Sequence, residues 1–366
     1  MQRKQIMGLL VSTAAAVALF AAACSSPAAP APTQAPAAPK AAEPTKAAAA
    51  PAATTAPAAP AASKTAFPEK GKSIMMTVPF AAGGSTDIGA RLLATGMEKA
   101  LGTSVQVQNR AGAGSQSGLT DIVKSKPDGY NIGFANLPTA NLIYSDPDRK
   151  AVFSGKDFIP VGVQVVDPSA IAVKADSPYK SVKDLVEAAK KAPETIKFGS
   201  DGPMTDDHLG IFQLEQASGA KFAMVGFDGS APNMSALLGG HIDATFGHVG
   251  DFLSPAKAGQ VRVIGIADKE KSKFFPEAQT LQEQGYNITN SSSRTLVVPA
   301  GTPQDVVDVL SAAMKKAMDE PEHIQKMQDA GLTLRYMNSK DARAYWDSMD
   351  APAKALVDQV RAAGKK

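Results

Sequence analysis

Val78-Pro79-Phe80-Ala81-Ala82-Gly83-Gly84-Ser85-Thr86-Asp87 runs from an apolar strand-like segment through a glycine pair into a helix continuing with Ile88, Arg91 and Leu92. A turn of this kind lies where a strand's carboxyl end meets a helix's amino end. Unpaired backbone N–H groups and the positive end of the helix dipole converge there, and glycine lets a guest approach the main chain. The expected guest is an anion.

The same grammar extends on both sides. Short apolar runs at Ile74 to Phe80, Val105 to Gln108, Asn131 to Ala135, Ile159 to Val166, Ala170 to Val173 and Ile196 to Gly199 alternate with helical stretches. The pattern continues through Phe222 to Phe227, Asp243 to Phe246, Val261 to Ala267 and Thr295 to Val298. This predicts an α/β fold built on a parallel sheet with helices on both faces. Ser181 is placed to cap a helix through Val182, Leu185, Val186 and Ala189, and Thr302-Pro303-Gln304-Asp305 to start one through Val306, Leu310 and Met314.

A second glycine loop, Asn109-Arg110-Ala111-Gly112-Ala113-Gly114-Ser115, follows the strand at Val105 and again opens a helix. Gly112, Gly114 and Gly118 loosely echo a dinucleotide fingerprint, but the next strand ends at Ala135-Asn136 with no carboxylate for a ribose. A nucleotide is therefore not the expected ligand.

Composition narrows the function further. The 366 residues are 44% hydrophobic and 20% charged, with a single cysteine. That rules out a disulfide scaffold or a Cys-based zinc site. Arg3 and Lys4, the apolar stretch Ile6 to Phe20 and Ala21-Ala22-Ala23 before Cys24 read as a lipoprotein signal over residues 1–23, with Cys24 as the lipidated residue. Residues 24–66 read as a tether. From Ser25 to Ala66, 20 of 42 residues are Ala and 9 are Pro, and none is a large apolar residue. An extended tract of that length holds a domain on the order of 100 Å from its anchor. The formal +3 of the chain comes from this leader, because residues 67 to 366 carry 33 basic and 34 acidic side chains. Without a basic field, no nucleic-acid partner is expected.

Three segments, PFAAGGSTDIGAR, QNRAGAGSQSG and KPDGYNIGFAN, stand in an order and spacing that resemble the substrate-binding proteins of tripartite tricarboxylate transporters, the Bug or TctC family. Gly199-Ser200-Asp201-Gly202, Leu237-Leu238-Gly239-Gly240-His241-Ile242-Asp243, Ala258-Gly259-Gln260-Val261-Arg262 and Val298-Pro299-Ala300-Gly301-Thr302-Pro303 extend the likeness over residues 72 to 335. The resemblance implies a type II periplasmic-binding fold, two α/β lobes joined by hinge strands, which closes on a small organic acid and passes it to membrane permease subunits. The implied ligand classes are di- and tricarboxylates, acidic amino acids and aromatic acids. No catalysis, cofactor or metal is implied, and a monomer is expected.

The resemblance carries a ligand site onto this chain. Phe80, Gly83, Gly84, Ser85, Thr86 and Asp87 form its first loop, Gly112, Ala113, Gly114 and Ser115 its second, and Asn136 with Thr139 its third. Ser200, Asp201, Gly202, Phe227, Asp228, Ser230 and Asp243 face them from the other lobe. Lobe 1 is expected at 67–165 plus 262–366 and lobe 2 at 166–261, with Ile159 to Val166 and Val261 to Ala267 as hinge strands.

The chain departs from the family pattern at three places. Gly226-Phe227-Asp228-Gly229 stands where Pro-Tyr-Lys-Gly is usual, Asp201 where glycine is common, and Ser293-Arg294 where an aromatic and glycine are common. These add two acids and one arginine, so an amine-bearing ligand and one offering a planar carboxylate to Arg294 are both open.

Plainer readings also apply. Arg91 follows Asp87 by four positions, the spacing of an intrahelical pair. Asp206-Asp207-His208 has no second histidine at metal-ligand spacing. Tyr345 and Trp346 are expected to pack the last helix. The competing functions are a sensor for a receptor ectodomain and an exported hydrolase using His208 with Asp207 or Asp243. The absence of Gly-x-Ser-x-Gly argues against the hydrolase.

Overall fold

The computed structural model describes residues 67–364, so the signal, Cys24 and the tether lie outside the described residues. The chain begins β1 (Ile74–Val78), α1 (Ser85–Leu101), β2 (Val105–Asn109), α2 (Gln116–Lys124), β3 (Asn131–Leu137) and α3 (Thr139–Ser145). A long strand β4 (Phe158–Lys174) leads to α4 (Val182–Lys191), β5 (Lys197–Ser200), α5 (Asp206–Ser218), β6 (Ala223–Gly226) and α6 (Ser230–Leu238). Then come β7 (Ala244–His248), α7 (Val249–Lys257) and β8 (Val261–Ile266). The chain closes with β9 (Ser291–Pro299), α8 (Gln304–Asp319), α9 (Pro321–Asp329), β10 (Leu334–Asn338) and α10 (Ser339–Ala362).

The sheet order is β2-β1-β3-β9-β4-β7-β5-β6, with β8 and β10 also paired to β4. The sheet keeps the expected parallel units but is mixed as a whole. β1 runs parallel to β2 and β3, and β5 parallel to β6 and β7, but every partner of β4 is antiparallel to it. Alternating strand and helix fixes the parallel units, whereas a strand returning from one half to the other arrives antiparallel, which local patterning does not report.

β4 is the pivot of the fold. Phe158 to Pro168 pairs with β9, and Ser169 onward pairs with β7 and β8. Each half has its own core. Ile74, Met76, Val78, Phe134, Leu296 and Met314 fill the first, and Ile171, Val173, Phe198, Phe246 and Leu281 the second. The lobe boundaries consequently move from those expected. β8 belongs wholly to the second half, and Ile264, Ala267, Leu281 and Ile288 are buried in its core. The return crossing is β9, where Ser291 pairs with Pro168, rather than Val261 to Ala267. The spaced apolar side chains of residues 267–290 finish the second core.

Local signals behave as physical chemistry predicts, with one exception. Ser181 Oγ accepts from the Asp184 amide at 3.2 Å while Asp184 accepts from the Ser181 amide at 2.9 Å, a complete capping box. Thr302, expected to cap α8, instead donates its hydroxyl to the Pro299 carbonyl at 2.8 Å. The last helix packs as expected: Trp346 is fully buried, lies 5.4 Å from Phe158 and donates Nε1–H to Tyr144 Oη at 2.9 Å.

Candidate functional site

The carboxyl ends of the strands in the two halves face one another, the usual ligand position in an open α/β sheet. Between them is a cavity walled by Phe80, Ala81, Gly84, Ser85, Thr86, Asp87 and Asn136 from the first half. Asp201, Thr205, Asp206, Asp207, Ser230 and His248 complete it from the second. The amino ends of α1, α5 and α6 open onto it, and His248 is the cap of α7. Their converging positive ends favour anionic groups.

The first loop is held rigidly. Gly83, at φ +88°, donates its amide to Asp87 Oδ2 at 2.9 Å, and Asn109 donates to Asp87 Oδ1 at 2.9 Å. Arg91 pairs with the same carboxylate at 2.9 Å, the intrahelical pair expected from its spacing. Burial raises the Asp87 pKa, but Arg91, the Gly83 amide and Asn109 outweigh it and hold the carboxyl below its ordinary value. Asp87 is thus a brace for the turn.

Other expected residues divide sharply. Asn136 donates to Thr86 Oγ1 at 3.0 Å, and its own carbonyl oxygen has no hydrogen-bond partner. Thr139 reaches across the cleft: its hydroxyl donates to Asp206 Oδ1 and accepts the Asp206 amide at 3.1 Å. Gly112, Ala113, Gly114 and Ser115 all have positive φ, but none lines the cavity. That loop instead clasps the other half with the help of Arg149 from its own half, which donates to the Ala113 carbonyl and, across the cleft, to the Pro203 carbonyl. A Cβ on Gly202 would sit 3.0 Å from Gly114 Cα. Ser200 is buried with its hydroxyl turned to the Gly202 carbonyl, and Phe227 packs in an apolar cluster beside Leu237.

Three expectations need correction. Asp243 is exposed at the amino end of β7, where it accepts from the Lys197 amide at 2.8 Å. Strand direction puts it at the end of the half opposite the cleft. Asp228 is exposed too, and only its main-chain carbonyl takes part, accepting from the Ala81 amide at 3.1 Å across the cleft. Arg294 is 1% exposed and lies behind the cavity wall, where it pairs with Asp167 at 3.2 Å and donates to Ser85 Oγ.

What sequence reasoning missed is the centre of the site. His248 Nε2 lies 2.8 Å from Asp206 Oδ2 and 3.5 Å from Asp207 Oδ1, and its Nδ1 lies 3.4 Å from Asp251 Oδ2. Asp251 Oδ1 accepts from the Ser85 amide at 3.0 Å across the cleft. Together with Asp167 and Asp201, these make a buried set of five carboxylates against one imidazole and one guanidinium. Burial pulls the His248 pKa down, but Asp207, Asp206 and Asp251 outweigh it and hold the ring well above the ordinary histidine value. Burial pushes Asp207 up, and Asp201 to about 7, with the neighbouring carboxylates adding to both. Burial also raises Asp251, but His248, Arg294 and Ser85 bring it below the usual range. His248 closes a strand and stands three residues before Asp251, a cap spacing that offered the one local signal.

A family model described as the tripartite tricarboxylate transporter family receptor matches residues 89–361. The chain belongs to that family. The UPF0065 protein in the gbd 5' region of Cupriavidus necator is 31% identical over 305 residues, covering 82% of this chain and 90% of the relative. The solved periplasmic binding protein BugD is 27% identical with a TM-score of 0.73, covering 80% of this chain and 98% of BugD. MatC from Rhodopseudomonas palustris, solved with bound malate, shares the fold at 23% identity and TM-score 0.73, over 78% of this chain and 98% of MatC. Members of the tripartite tricarboxylate transporter receptor family are solute receptors, not enzymes, with the two-lobed periplasmic-binding fold. Among the described residues of this family member, no helix is long and apolar enough to cross a membrane.

Proposed function

We propose that this receptor captures a small carboxylate-bearing solute between its two halves and delivers it to the permease of a tripartite tricarboxylate transporter. The carrying observation is the braced Gly83-Gly84-Ser85 turn at the amino end of α1, which forms part of the cavity wall beside the Ser85 and Thr86 hydroxyls. Small hydroxyls and the positive ends of the helices that open onto the cavity together suit a carboxylate. The malate bound by MatC supports the same chemical class. Phe80, Gly84, Thr86, Asn136, Asp201 and Ser230 are the remaining contacts proposed for the solute.

Closure is a hinge motion about β4 and β9, and the solute shifts the population toward the closed form. The receptor works outside the cytoplasmic membrane, anchored through lipid on Cys24. Thermal denaturation of the full-length protein against di- and tricarboxylates, acidic amino acids and aromatic acids tests the ligand class. A ligand at 100 times its Kd adds about 2.7 kcal/mol of stability. No shift with any acid, with or without added metal ions, defeats the proposal. Cys24→Ser should move the protein from the membrane to the soluble fraction, and unchanged partitioning defeats the anchor.

A further inference from the structure

We infer that Asp206, Asp207 and His248 bind a divalent first-row transition-metal cation, and that the carboxylate solute enters the cleft as a ligand of that cation. The inference rests on the reading that a carboxylate occupies this cleft.

The three ligand atoms already lie close together, with His248 Nε2 2.8 Å from Asp206 Oδ2 and 3.5 Å from Asp207 Oδ1. Metal bonds of about 2.0 to 2.2 Å to nitrogen and oxygen require neighbouring donors roughly 3 to 3.5 Å apart, and the three ligand atoms all lie within 4.8 Å of one another, so a modest shift of one carboxylate completes the set. Asp207 supplies an independent observation. Its side chain is 1% exposed, it forms part of the cavity wall, and neither carboxylate oxygen has a hydrogen-bond partner. A buried carboxylate without hydrogen bonds is costly, and a cation is the guest that satisfies it best.

Supporting groups stand behind the ligands as they do in metal centres. Asp251 Oδ2 lies 3.4 Å from the second nitrogen of His248, and the Thr139 hydroxyl holds the second oxygen of Asp206. One imidazole with two carboxylates suits Zn²⁺ through the nitrogen and Mn²⁺ through the oxygens. An alkylammonium makes no use of an imidazole nitrogen set between two carboxylates. Three protein ligands leave open positions on the cavity side, and a solute carboxylate fills them. The cation also offsets the acidic groups of the cavity wall, where Asp201, Asp206 and Asp207 stand beside His248.

The test uses full-length protein stripped of metal with a chelator and titrated calorimetrically with Zn²⁺ and Mn²⁺. The expected result is one cleft site whose affinity falls at least about tenfold in Asp207→Asn and in His248→Gln. His241→Gln, at an exposed histidine, should bind as the parent does. Circular dichroism melts verify that each variant is folded. In parallel melts, an acid from the panel should raise the transition more in the presence of the cation, and this gain should vanish in Asp207→Asn. No binding by the stripped protein overturns the inference, as do Asp207→Asn and His248→Gln variants that bind like the parent. An acid, amine-bearing or not, that shifts the melt equally with and without metal overturns it while leaving carboxylate capture intact. Failure of every acid in both conditions defeats the proposed function itself.

Discussion

Gly250→Ala tests whether the two halves work by closing. Gly250 lies in the first turn of α7, and its amide donates to Asp167 Oδ2 at 3.2 Å. A Cβ there would sit 2.6 Å from Leu332 Cδ2, 3.0 Å from Asp167 Oδ2 and 3.3 Å from Ser85 Cβ. Leu332 and Ser85 both belong to the first half. Carbon atoms prefer separations of about 3.5 to 4.0 Å, so Leu332 must retreat by roughly 1 Å. It is 1% exposed and packed against Val165 and Met327, which leaves it little room. Overpacking of this kind costs about 1 to 3 kcal/mol. With the halves apart those neighbours are gone, and alanine is a better helix former than glycine. The substitution therefore penalises the closed form alone, by a factor of about 5 to 150 in the closed-to-open ratio, and weakens solute binding equally if binding requires closure. Small-angle scattering with and without solute, together with calorimetric affinity, reads both effects. Gly96→Ala is the control, since its Cβ would meet Ala317 Cβ at 2.6 Å inside the first half. It should lower the melting temperature without changing the scattering response. Parent-like affinity and scattering in folded Gly250→Ala would refute the argument.

Further outcomes follow from the same geometry. Asp87→Asn should cost on the order of 1 to 3 kcal/mol at pH 7 by removing charge-assisted hydrogen bonds. Because the folded pKa of Asp87 is depressed, its contribution is present above the unfolded value of about 3.9 and fades as pH falls through the folded value. The stability gap between parent and variant should therefore narrow in acid melts, and a constant gap contradicts the assignment. Asp201 has the opposite sign: its carboxyl is pushed up to about 7, so ionisation destabilises the fold increasingly from the unfolded value upward. Asp201→Asn should be more stable than the parent at pH 8, by more than at pH 5, and a variant less stable at pH 8 counts against it. Arg294→Met strands Asp167 and should cost about 3 to 5 kcal/mol, while adding Asp167→Asn should restore much of it. Additive losses in urea melts would deny that pairing. Asp228→Asn and Asp243→Asn leave solute affinity unchanged, because both side chains are exposed away from the cavity, and a tenfold loss in either would disprove this placement.

The amino acid sequence by itself determined the alternating α/β architecture, the capping box at Ser181, the Asp87–Arg91 brace and the glycine turn on the cavity wall. Each depends on neighbours within a few positions, where propensity, periodicity and capping act. Family likeness extended this to the two-lobed fold. Tertiary structure alone decided that Asp243 lies away from the cleft, that β8 belongs to the second half, and that the Gly112–Ser115 loop clasps rather than lines the cavity. It also decided the meaning of His248. In sequence that histidine is separated from Asp206 by 42 positions and from Asp167 by about twice as many, and nothing local links them. Asp206 and His248 meet because the parallel strands β5 and β7 end at the same edge, each releasing a helix whose amino end points into one shared cleft, while the antiparallel β4 carries Asp167 past them. Charges remote in sequence meet there at low dielectric, where a single unpaired carboxylate matters more than any surface pair.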